Sequence, residues 1–291
     1  MPEVDVGRLA RMRAENPQAI YEAAARRRRR RLLEASGRLL IVAADHPARG
    51  ALRIRDRELA MADRGELLDR LLTALARPGV DGVLGTPEIL EDLLLLGALE
   101  DKLAIGSMNR GGILDTTFEM DDRFTAYDAG AIADMGFDGG KMLLRIDPSD
   151  PATAGTLEAC AGAITDLASH RIPAMIEPFW VGRDDGKARN DLDPDAIVRA
   201  IAVAQGLGRT SAYTWLKLPV TESMERVMAA STLPALLLGG DPGEAPDETY
   251  AHWHKALQLP TVRGLVVGRA LLYPHDGDVA AAVDSAAALF D

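Results

Sequence analysis

The feature of this 291-residue sequence that most constrains its fold is an alternation of short apolar segments with longer stretches of helical periodicity after residue 38. Strict alternation of strands and helices predicts a parallel sheet, and eight units of about 30 residues favour a closed barrel over an open sheet. No Gly-x-Gly-x-x-Gly motif follows the first strand, which argues against a dinucleotide-binding fold. The predicted strands are 39–44, 82–84, 103–105, 141–144, 174–176, 213–218, 235–238 and 264–267.

The segments between these strands have the apolar spacing of amphipathic helices, for example at 87–99, 156–169 and 194–205. We therefore predict an α/β fold, a (β/α)8 TIM barrel, formed by residues 38–291 as one catalytic domain. No linker or shift in composition marks a further domain within this range.

Residues 1–37 precede the barrel as a predicted helical extension. Asn16 and Pro17 are typical of a helix start and Gly37 of a helix stop, so residues 17–36 are predicted to form one extra N-terminal helix. Positions 26–31 are all arginine, and six consecutive helical positions cover every face of a helix. We interpret this as a solvated helix whose arginines pair with acidic neighbours or with a second subunit. Contact with phosphate or nucleic acid is the alternative.

Charge and composition disfavour several classes of protein. A net charge of -11 disfavours nucleic acid as a partner, although a local basic pocket can still hold a small phosphate. Cys160 is the only cysteine, which excludes an internal disulfide framework and a cysteine-based zinc site, and we expect it in the core. The sequence has no apolar signal region at its start and no run of about 18 apolar residues, so we expect a cytoplasmic protein without a membrane partner.

Lys217 is the residue that suggests chemistry. It lies near the end of the apolar, β-prone sixth strand, and Pro219 follows two residues later and ends that strand. Polar groups at the carboxyl ends of barrel strands are where such enzymes place their catalytic residues. Burial lowers the pKa of an amine and makes it a nucleophile able to form a Schiff base with a carbonyl. The alternative is a lysine that extends from a strand end to water.

Alternation of side chains along the strands adds two partners for Lys217. If Lys217 and Trp215 point into the barrel, then Lys141 on the fourth strand and Glu177 on the fifth point inward beside them. The sequence has only five lysines, and two of them lie inside strands. A second ammonium would lower the pKa of Lys217, and Glu177 could orient either amine and move protons. A purely structural Lys-Glu-Lys ion network is the alternative.

Other strand ends supply candidates for substrate binding. Asp45 and His46 follow the first strand, and Ser107 follows the third. His46 is interpreted as a substrate ligand or as a residue that caps the first loop.

The seventh and eighth strand ends resemble an anion site. Gly239 and Gly240 end the seventh strand, and Gly268 and Arg269 end the eighth. Glycines let backbone N–H groups approach an oxyanion, the last two loops are the usual phosphate position in a barrel, and Arg269 supplies a fork-shaped cation.

Several polar pairs are predicted to have no role in chemistry. His252 and His254 stand at a spacing of two, which does not share a helix face, so they are expected on the surface and no metal site is predicted. Asp121 and Asp122 are interpreted as solvated loop acids. No cofactor is predicted.

The motifs together resemble those of a known family. The sequence is similar to the class I aldolases that include tagatose-bisphosphate aldolase, sulfofructose-phosphate aldolase and the archaeal-type fructose-bisphosphate aldolases, over residues 38–275. The motifs that carry the resemblance are Asp45 after strand one, Gly139-Gly-Lys-Met-Leu-Leu on strand four, Ile176-Glu-Pro on strand five, Trp215-Leu-Lys-Leu-Pro on strand six and Gly268-Arg-Ala on strand eight.

The resemblance implies a metal-independent aldolase that uses a lysine Schiff base. By residue type and position, it assigns the Schiff base to Lys217, the supporting catalytic roles to Lys141, Glu177 and Asp45, and the terminal phosphate of the substrate to Arg269. The loop that begins Asp45-His-Pro-Ala-Arg and the arginine-rich N-terminus differ from the sugar-bisphosphate enzymes. They look more like an actinobacterial branch linked to inositol breakdown, whose substrate would be 2-deoxy-5-keto-gluconate 6-phosphate.

The sequence is also compatible with two other functions. A transaldolase or acyl-transfer enzyme would use the same lysine with a second substrate, and a non-catalytic barrel would only bind a sugar phosphate. The acidic surface and the arginine run also suggest a homo-oligomer.

Overall fold

The computed structural model describes residues 3–185, 187–240 and 246–290, and these form a closed barrel of eight parallel strands. All eight predicted strands are present, and the predicted TIM barrel is confirmed. A ninth strand, β6, is not part of the barrel: it pairs antiparallel with the extended end of β5. The strands are β1 Leu39–Ala43, β2 Gly82–Gly85, β3 Leu103–Ser107, β4 Gly139–Ile146, β5 Ala174–Asp184, β6 Lys187–Asp191, β7 Thr214–Pro219, β8 Ala235–Leu238 and β9 Val262–Val267.

Barrel closure is visible in the strand pairing. Around the ring the order is β1, β2, β3, β4, β5, β7, β8 and β9, and β9 returns to pair with β1. The close pairing of β9 with β1 depends on Gly264, which has φ +138°. A Cβ at this position would collide with the carbonyl oxygen of Leu39, so only glycine fits here.

Helices follow most of the strands, and aspartates begin several of them. Asp63, Asp128, Asp193 and Asp278 each accept a hydrogen bond from a backbone N–H of the first turn, which satisfies one of the donors left open at a helix start. Two short 3-10 turns lie at Pro47–Arg49 and Ala288–Phe290. The α-helices are α1 Val6–Glu15, α2 Gln18–Arg26, α3 Arg64–Leu75, α4 Pro87–Leu95, α5 Ala129–Asp134, α6 Ala152–Ser169, α7 Pro194–Ala204, α8 Met224–Met228, α9 Pro246–Leu257, α10 Arg269–Leu272 and α11 Val279–Ala287.

Two apolar clusters fill the molecule. The larger one lies between the strands and the surrounding helices, and it includes Cys160, which is fully buried as predicted. The smaller one fills the barrel interior, and Trp215 packs against it, as the predicted alternation requires. The buried members of the interior cluster are Leu39, Ile41, Ala43, Leu84, Leu103, Ile105, Met175, Leu236 and Val266.

The prediction of one helix over residues 17–36 is wrong. The helix that begins at Gln18 ends at Arg26, and Arg27 already has extended geometry with φ -57° and ψ 126°. The reason is tertiary: an extended backbone allows the guanidinium of Arg27 to reach the barrel. It donates to the carbonyl oxygens of Lys102 and Gly136 at 2.6 Å each and to Asp138 at 3.0 Å.

Two other arginines of the run also pair with acids at the amino ends of strands. Arg29 pairs with Asp138 at 3.0 Å, and Arg30 pairs with Asp81, which precedes β2. The following Leu32 and Leu33 pack against the interior cluster of the barrel. Pairing of the arginines with acidic neighbours is thus confirmed within one chain, and the segment closes the amino-terminal opening of the barrel.

In the part of the chain that the structure describes, no helix has both the length and the apolar character needed to cross a membrane.

Candidate active site

The predicted polar residues meet at the carboxyl end of the barrel because side chains alternate along each strand. Each of four site residues stands two positions after an apolar residue of the interior cluster, so the inward face of each strand continues from the apolar core into a polar layer. The pairs are Ala43 with Asp45, Ile105 with Ser107, Met175 with Glu177, and Trp215 with Lys217.

Glu177 bridges two lysines at the centre of this layer. Its Oε1 accepts from Lys217 Nζ at 2.6 Å, and its Oε2 lies 2.5 Å from Lys141 Nζ. The side chains of Lys141 and Lys217 are only 2% and 6% exposed, so neither lysine extends to water. The predicted placement of the three residues side by side is confirmed, and the reading of Lys217 as a solvent-reaching lysine is wrong.

Burial sets the acid–base properties of these groups. It lowers the pKa of Lys217, an effect that the positive charges of Arg110 and Arg269 reinforce and that Glu177 opposes. The pKa of Lys141 is likewise held well below its ordinary value by burial and by Arg110. Burial alone would raise the pKa of Glu177, but the charges of the two lysines outweigh it and hold that pKa well below its usual range. The site therefore combines an easily deprotonated amine with an ionised carboxylate.

Asp45 anchors the other side of Lys141. Its Oδ2 accepts from Lys141 Nζ at 3.1 Å and from Ser107 Oγ at 3.2 Å, and the same oxygen pairs with Arg110. Arg110 also donates from Nε to Ser107 Oγ at 3.0 Å, and burial lowers its pKa to about 10. Asp45 and Ser107 thus lie beside Lys141, and the roles predicted for them stay predictions. The part played by Arg110 was missed, although it stands at the same strand end as Ser107.

His46 lies beside this network, directly before the 3-10 turn that follows β1. Its Nδ1 is buried without a hydrogen bond, 4.0 Å from Asp45 Oδ1, and its side chain is 23% exposed. Burial, Arg269 and the two lysines hold the pKa of His46 well below its ordinary value. A Cβ on Gly268 would come within 2.6 Å of His46 Cε1, so glycine at this position leaves room for the ring.

The predicted anion-site residues lie at the ends of two adjacent strands. Gly239 and Gly240 follow β8, with Gly240 at φ +66°, and Gly268 and Arg269 follow β9. The charge of Arg269 acts on both His46 and Lys217, which places its guanidinium within electrostatic reach of the site. Beyond Gly240 the chain continues into residues 241–245, which lie outside the described part. The role of these four residues in binding an anion stays a prediction.

The loop after β3 supplies a second charged cluster that sequence reasoning missed. Asp122, expected to be a solvated acid, is fully buried, and that expectation is wrong. Both of its carboxylate oxygens accept from Arg145 at the end of β4, each at 2.8 Å. Glu119 accepts from the same guanidinium at 3.0 Å. The loop folds back over the barrel mouth to reach Arg145, a contact that no local pattern in the sequence predicts.

The remaining histidines take no part in the site. His252 and His254 are exposed on α9, as predicted. Among the described residues, no group of three or more His, Cys, Asp and Glu side chains is arranged to hold a metal ion.

Solved structures with the same fold include one close relative. The crystal structure of Cgl0159 from Corynebacterium glutamicum is 57% identical, covers 98% of this chain and 96% of its own, and superposes with a TM-score of 0.96. A Schiff-base-forming fructose-1,6-bisphosphate aldolase is 19% identical over 94% of this chain and all of its own, with a TM-score of 0.69. An archaeal fructose-1,6-bisphosphate aldolase is 18% identical over 93% and 98% of the two chains, with a TM-score of 0.67.

At identities this low, the two aldolases share the fold with this chain, and they do not by themselves assign it a reaction. No protein with a curated description matches the chain. A family model described as Cgl0159-like matches residues 37–287, which is nearly the whole barrel. The chain therefore belongs to the Cgl0159-like family.

Proposed function

We propose that this protein is a class I aldolase, a carbon–carbon lyase that works through a Schiff base on Lys217. The observation that carries the proposal is the buried Lys217–Glu177–Lys141 bridge at the carboxyl end of the barrel. An amine whose pKa is lowered by burial, bonded to a carboxylate that can move protons, is the equipment that Schiff-base chemistry requires.

The structural relatives support this reaction class. One neighbour, a fructose-1,6-bisphosphate aldolase, is described as Schiff-base forming, and another was solved with its catalytic lysine bound to the carbinolamine intermediate of the substrate. Their identity to this chain is below 20%, so the argument for Lys217 rests on its own surroundings.

The first half of the proposed reaction forms the covalent intermediate. Lys217 gives a proton to Glu177 across their 2.6 Å hydrogen bond, and the free amine attacks the ketone carbon of the substrate. Glu177 returns its proton to the hydroxyl group of the resulting carbinolamine, which leaves as water, and an iminium remains. Lys141, bonded to both Glu177 and Asp45, stabilises negative charge that develops on the oxygen during this step.

The second half breaks the carbon–carbon bond. Glu177, relieved of its proton, accepts the proton of the hydroxyl group on the carbon that departs as an aldehyde. The bonding electrons pass into the iminium and form an enamine. The enamine carbon takes the proton from Glu177, and water then hydrolyses the new iminium, which releases the product and frees Lys217. Asp45 and His46 lie where they can bind substrate hydroxyls, with Asp45 oriented by Ser107 and Arg110.

We infer that the substrate is a phosphorylated keto sugar or keto sugar acid, with 2-deoxy-5-keto-gluconate 6-phosphate as the specific candidate. The phosphate would bind the glycines 239, 240 and 268 together with Arg269, at the strand ends where barrels usually hold phosphate. This assignment follows from the predicted anion site and from the resemblance of the sequence to its aldolase branch.

The proposal is tested by borohydride trapping. The protein is treated with borohydride and a panel of keto-sugar phosphates, including dihydroxyacetone phosphate, and the intact mass and modified peptide are determined. A stable mass increase on Lys217 is expected, and it should vanish in Lys217→Ala and persist in Lys255→Ala, whose lysine is exposed on α9. Trapping that survives Lys217→Ala unchanged would refute the assignment. Ligand-induced thermal stabilisation without trapping would favour a non-catalytic binding barrel.

A further inference from the structure

The guanidinium of Arg49 lies beside the site, largely buried and with one nitrogen that makes no hydrogen bond. It ends the 3-10 turn after β1, and its Nε donates to the carbonyl oxygen of Gly112 at 2.8 Å. Its Nη2 is buried and has no hydrogen-bond partner, and the side chain is only 15% exposed. A buried donor without a partner is costly, about 1–3 kcal/mol, so such a group in a binding cleft is a candidate ligand contact.

The neighbouring carboxylates do not satisfy Arg49. Glu119 Oε1 lies 3.9 Å from its Nη2, beyond hydrogen-bond distance, and accepts from Arg145 at 3.0 Å instead. Both oxygens of Asp122 are taken by Arg145. Apart from burial, the charges that act on the pKa of Arg49 are those of Arg145, Asp122, Glu119 and Glu177. The guanidinium therefore lies against the loop after β3, within electrostatic reach of Glu177.

The guanidinium of Arg49 lies near the strand opposite the predicted phosphate site. Arg49 itself follows β1, but its Nη2 is 3.9 Å from Glu119 Oε1, which accepts from Arg145 on β4. Arg269 follows β9, and β4 and β9 are four places apart in a ring of eight. Lys217 and Glu177 lie on β7 and β5, between the two ends. A sugar chain with its phosphate at Arg269 would extend over the Lys217–Glu177–Lys141 bridge and place its other end near Arg49.

We propose that Arg49 forms a second anion subsite, which binds a carboxylate on the fragment that departs as the aldehyde. A planar carboxylate matches one edge of a guanidinium with two parallel hydrogen bonds, and Nε is already occupied, which leaves one edge. The inference rests on the proposed aldolase function and refines its substrate to a keto sugar acid phosphate, ionised at both ends.

The test is a calorimetric titration of the whole protein with three matched hexitol derivatives. 6-Phosphogluconate and glucitol 6-phosphate differ only in a carboxylate against a hydroxymethyl group, and glucitol 1,6-bisphosphate carries a second phosphate instead. None has a ketone or aldehyde, so none can form a Schiff base. The wild type should bind 6-phosphogluconate at least about 10-fold more tightly than glucitol 6-phosphate, because a charged hydrogen-bonded pair is gained.

Arg49→Gln should abolish this preference, so that the variant binds 6-phosphogluconate no more tightly than glucitol 6-phosphate. The matched control is Arg53→Gln, since Arg53 lies in the same loop but is exposed and paired with Glu58. Equal binding of the first two compounds, no binding of either, tightest binding of the bisphosphate, or an unchanged preference in Arg49→Gln would each overturn the proposal. Failure of borohydride trapping on Lys217 would instead refute the aldolase and leave this binding result intact.

Discussion

Glu177 takes part in both halves of the proposed reaction, since its carboxylate contacts both Lys217 and Lys141. Its negative charge raises the pKa of Lys217, in opposition to burial. The same carboxylate is the proposed base for carbon–carbon cleavage. The charge of Glu177 therefore disfavours the free amine of Lys217, whereas its basicity favours carbon–carbon cleavage. One substitution can separate these two effects.

Replacing the carboxylate by an amide should separate amine activation from cleavage. In Glu177→Gln the pKa of Lys217 falls further and the amine loses its proton to water instead of to Glu177, so borohydride trapping should begin at a lower pH than in the wild type. Turnover should fall by about 100-fold or more because the base is lost. The measurements are the pH dependence of trapping and the steady-state rate. A trapping profile displaced to higher pH would contradict the assigned role.

The lowered pKa of His46 makes the stability of the folded protein depend on pH. Its pKa is lowered in the folded protein, so between the ordinary value near 6.5 and the lowered value the unfolded chain binds more protons than the folded one. Stability should therefore fall as pH drops below about 6.5, and His46→Gln should reduce that slope. Denaturant unfolding from pH 7 to pH 5 measures it, with His252→Gln on α9 as the exposed control. The prediction would be contradicted if the free energy of unfolding changed equally with pH in the wild type, His46→Gln and His252→Gln.

At the scale of elements, the barrel closes because individual strands meet closely. β9 pairs with β8 on one side and β1 on the other, and its end carries the glycine and arginine of the predicted phosphate site. Gly264 permits the approach to β1. The position of the site thus depends on a residue at the opposite end of the strand from the chemistry.

A methyl group at Gly264 should therefore be far more disruptive than one in a helix. Gly264→Ala combines a positive φ with a collision against β1 and should lower the free energy of unfolding by about 3 kcal/mol or more. Gly155→Ala in α6 meets no atom within 4 Å and should raise stability by about 0.5–1 kcal/mol. Urea denaturation of the two variants provides the comparison, and similar effects would refute the argument.

Across the whole molecule, the two openings of the barrel differ in chemistry. The amino-terminal opening is closed by the arginine segment, whose Arg27 is paired with Asp138 and nearly fully buried. The carboxyl-terminal opening is lined by the lysine bridge and covered in part by the β3 loop, which Arg145 holds in place. Ionic contacts therefore stabilise structure at one end and serve the proposed reaction at the other.

Loss of Arg27 should destabilise the protein without directly altering the site. Arg27→Met leaves Asp138 buried with one fewer partner, and breaking a buried pair in this way typically costs about 3–5 kcal/mol. Arg31→Met changes an exposed arginine of the same run and should stay within about 0.5 kcal/mol of the wild type. Thermal unfolding of both variants checks this. Equal melting temperatures would show that Arg27 does not contribute to closure.

Much of the fold and part of the site were determined by local pattern. The alternation of short apolar segments with helical repeats predicted all eight barrel strands, because each β/α unit buries its own apolar face. The same period placed Lys141, Glu177 and Lys217 inside and adjacent, since neighbouring parallel strands in a barrel share one inward layer.

Only the tertiary structure decided what depends on contacts between distant segments. The helix predicted for residues 17–36 stops at Arg26 because Arg27 binds groups some 75 to 111 positions away. Asp122 is buried because Arg145 lies opposite it, and Arg49 donates to Gly112, which belongs to the loop after β3. The periodicity of apolar residues predicts which face of a helix or strand is buried. The partners of a charged side chain instead depend on how the whole barrel closes.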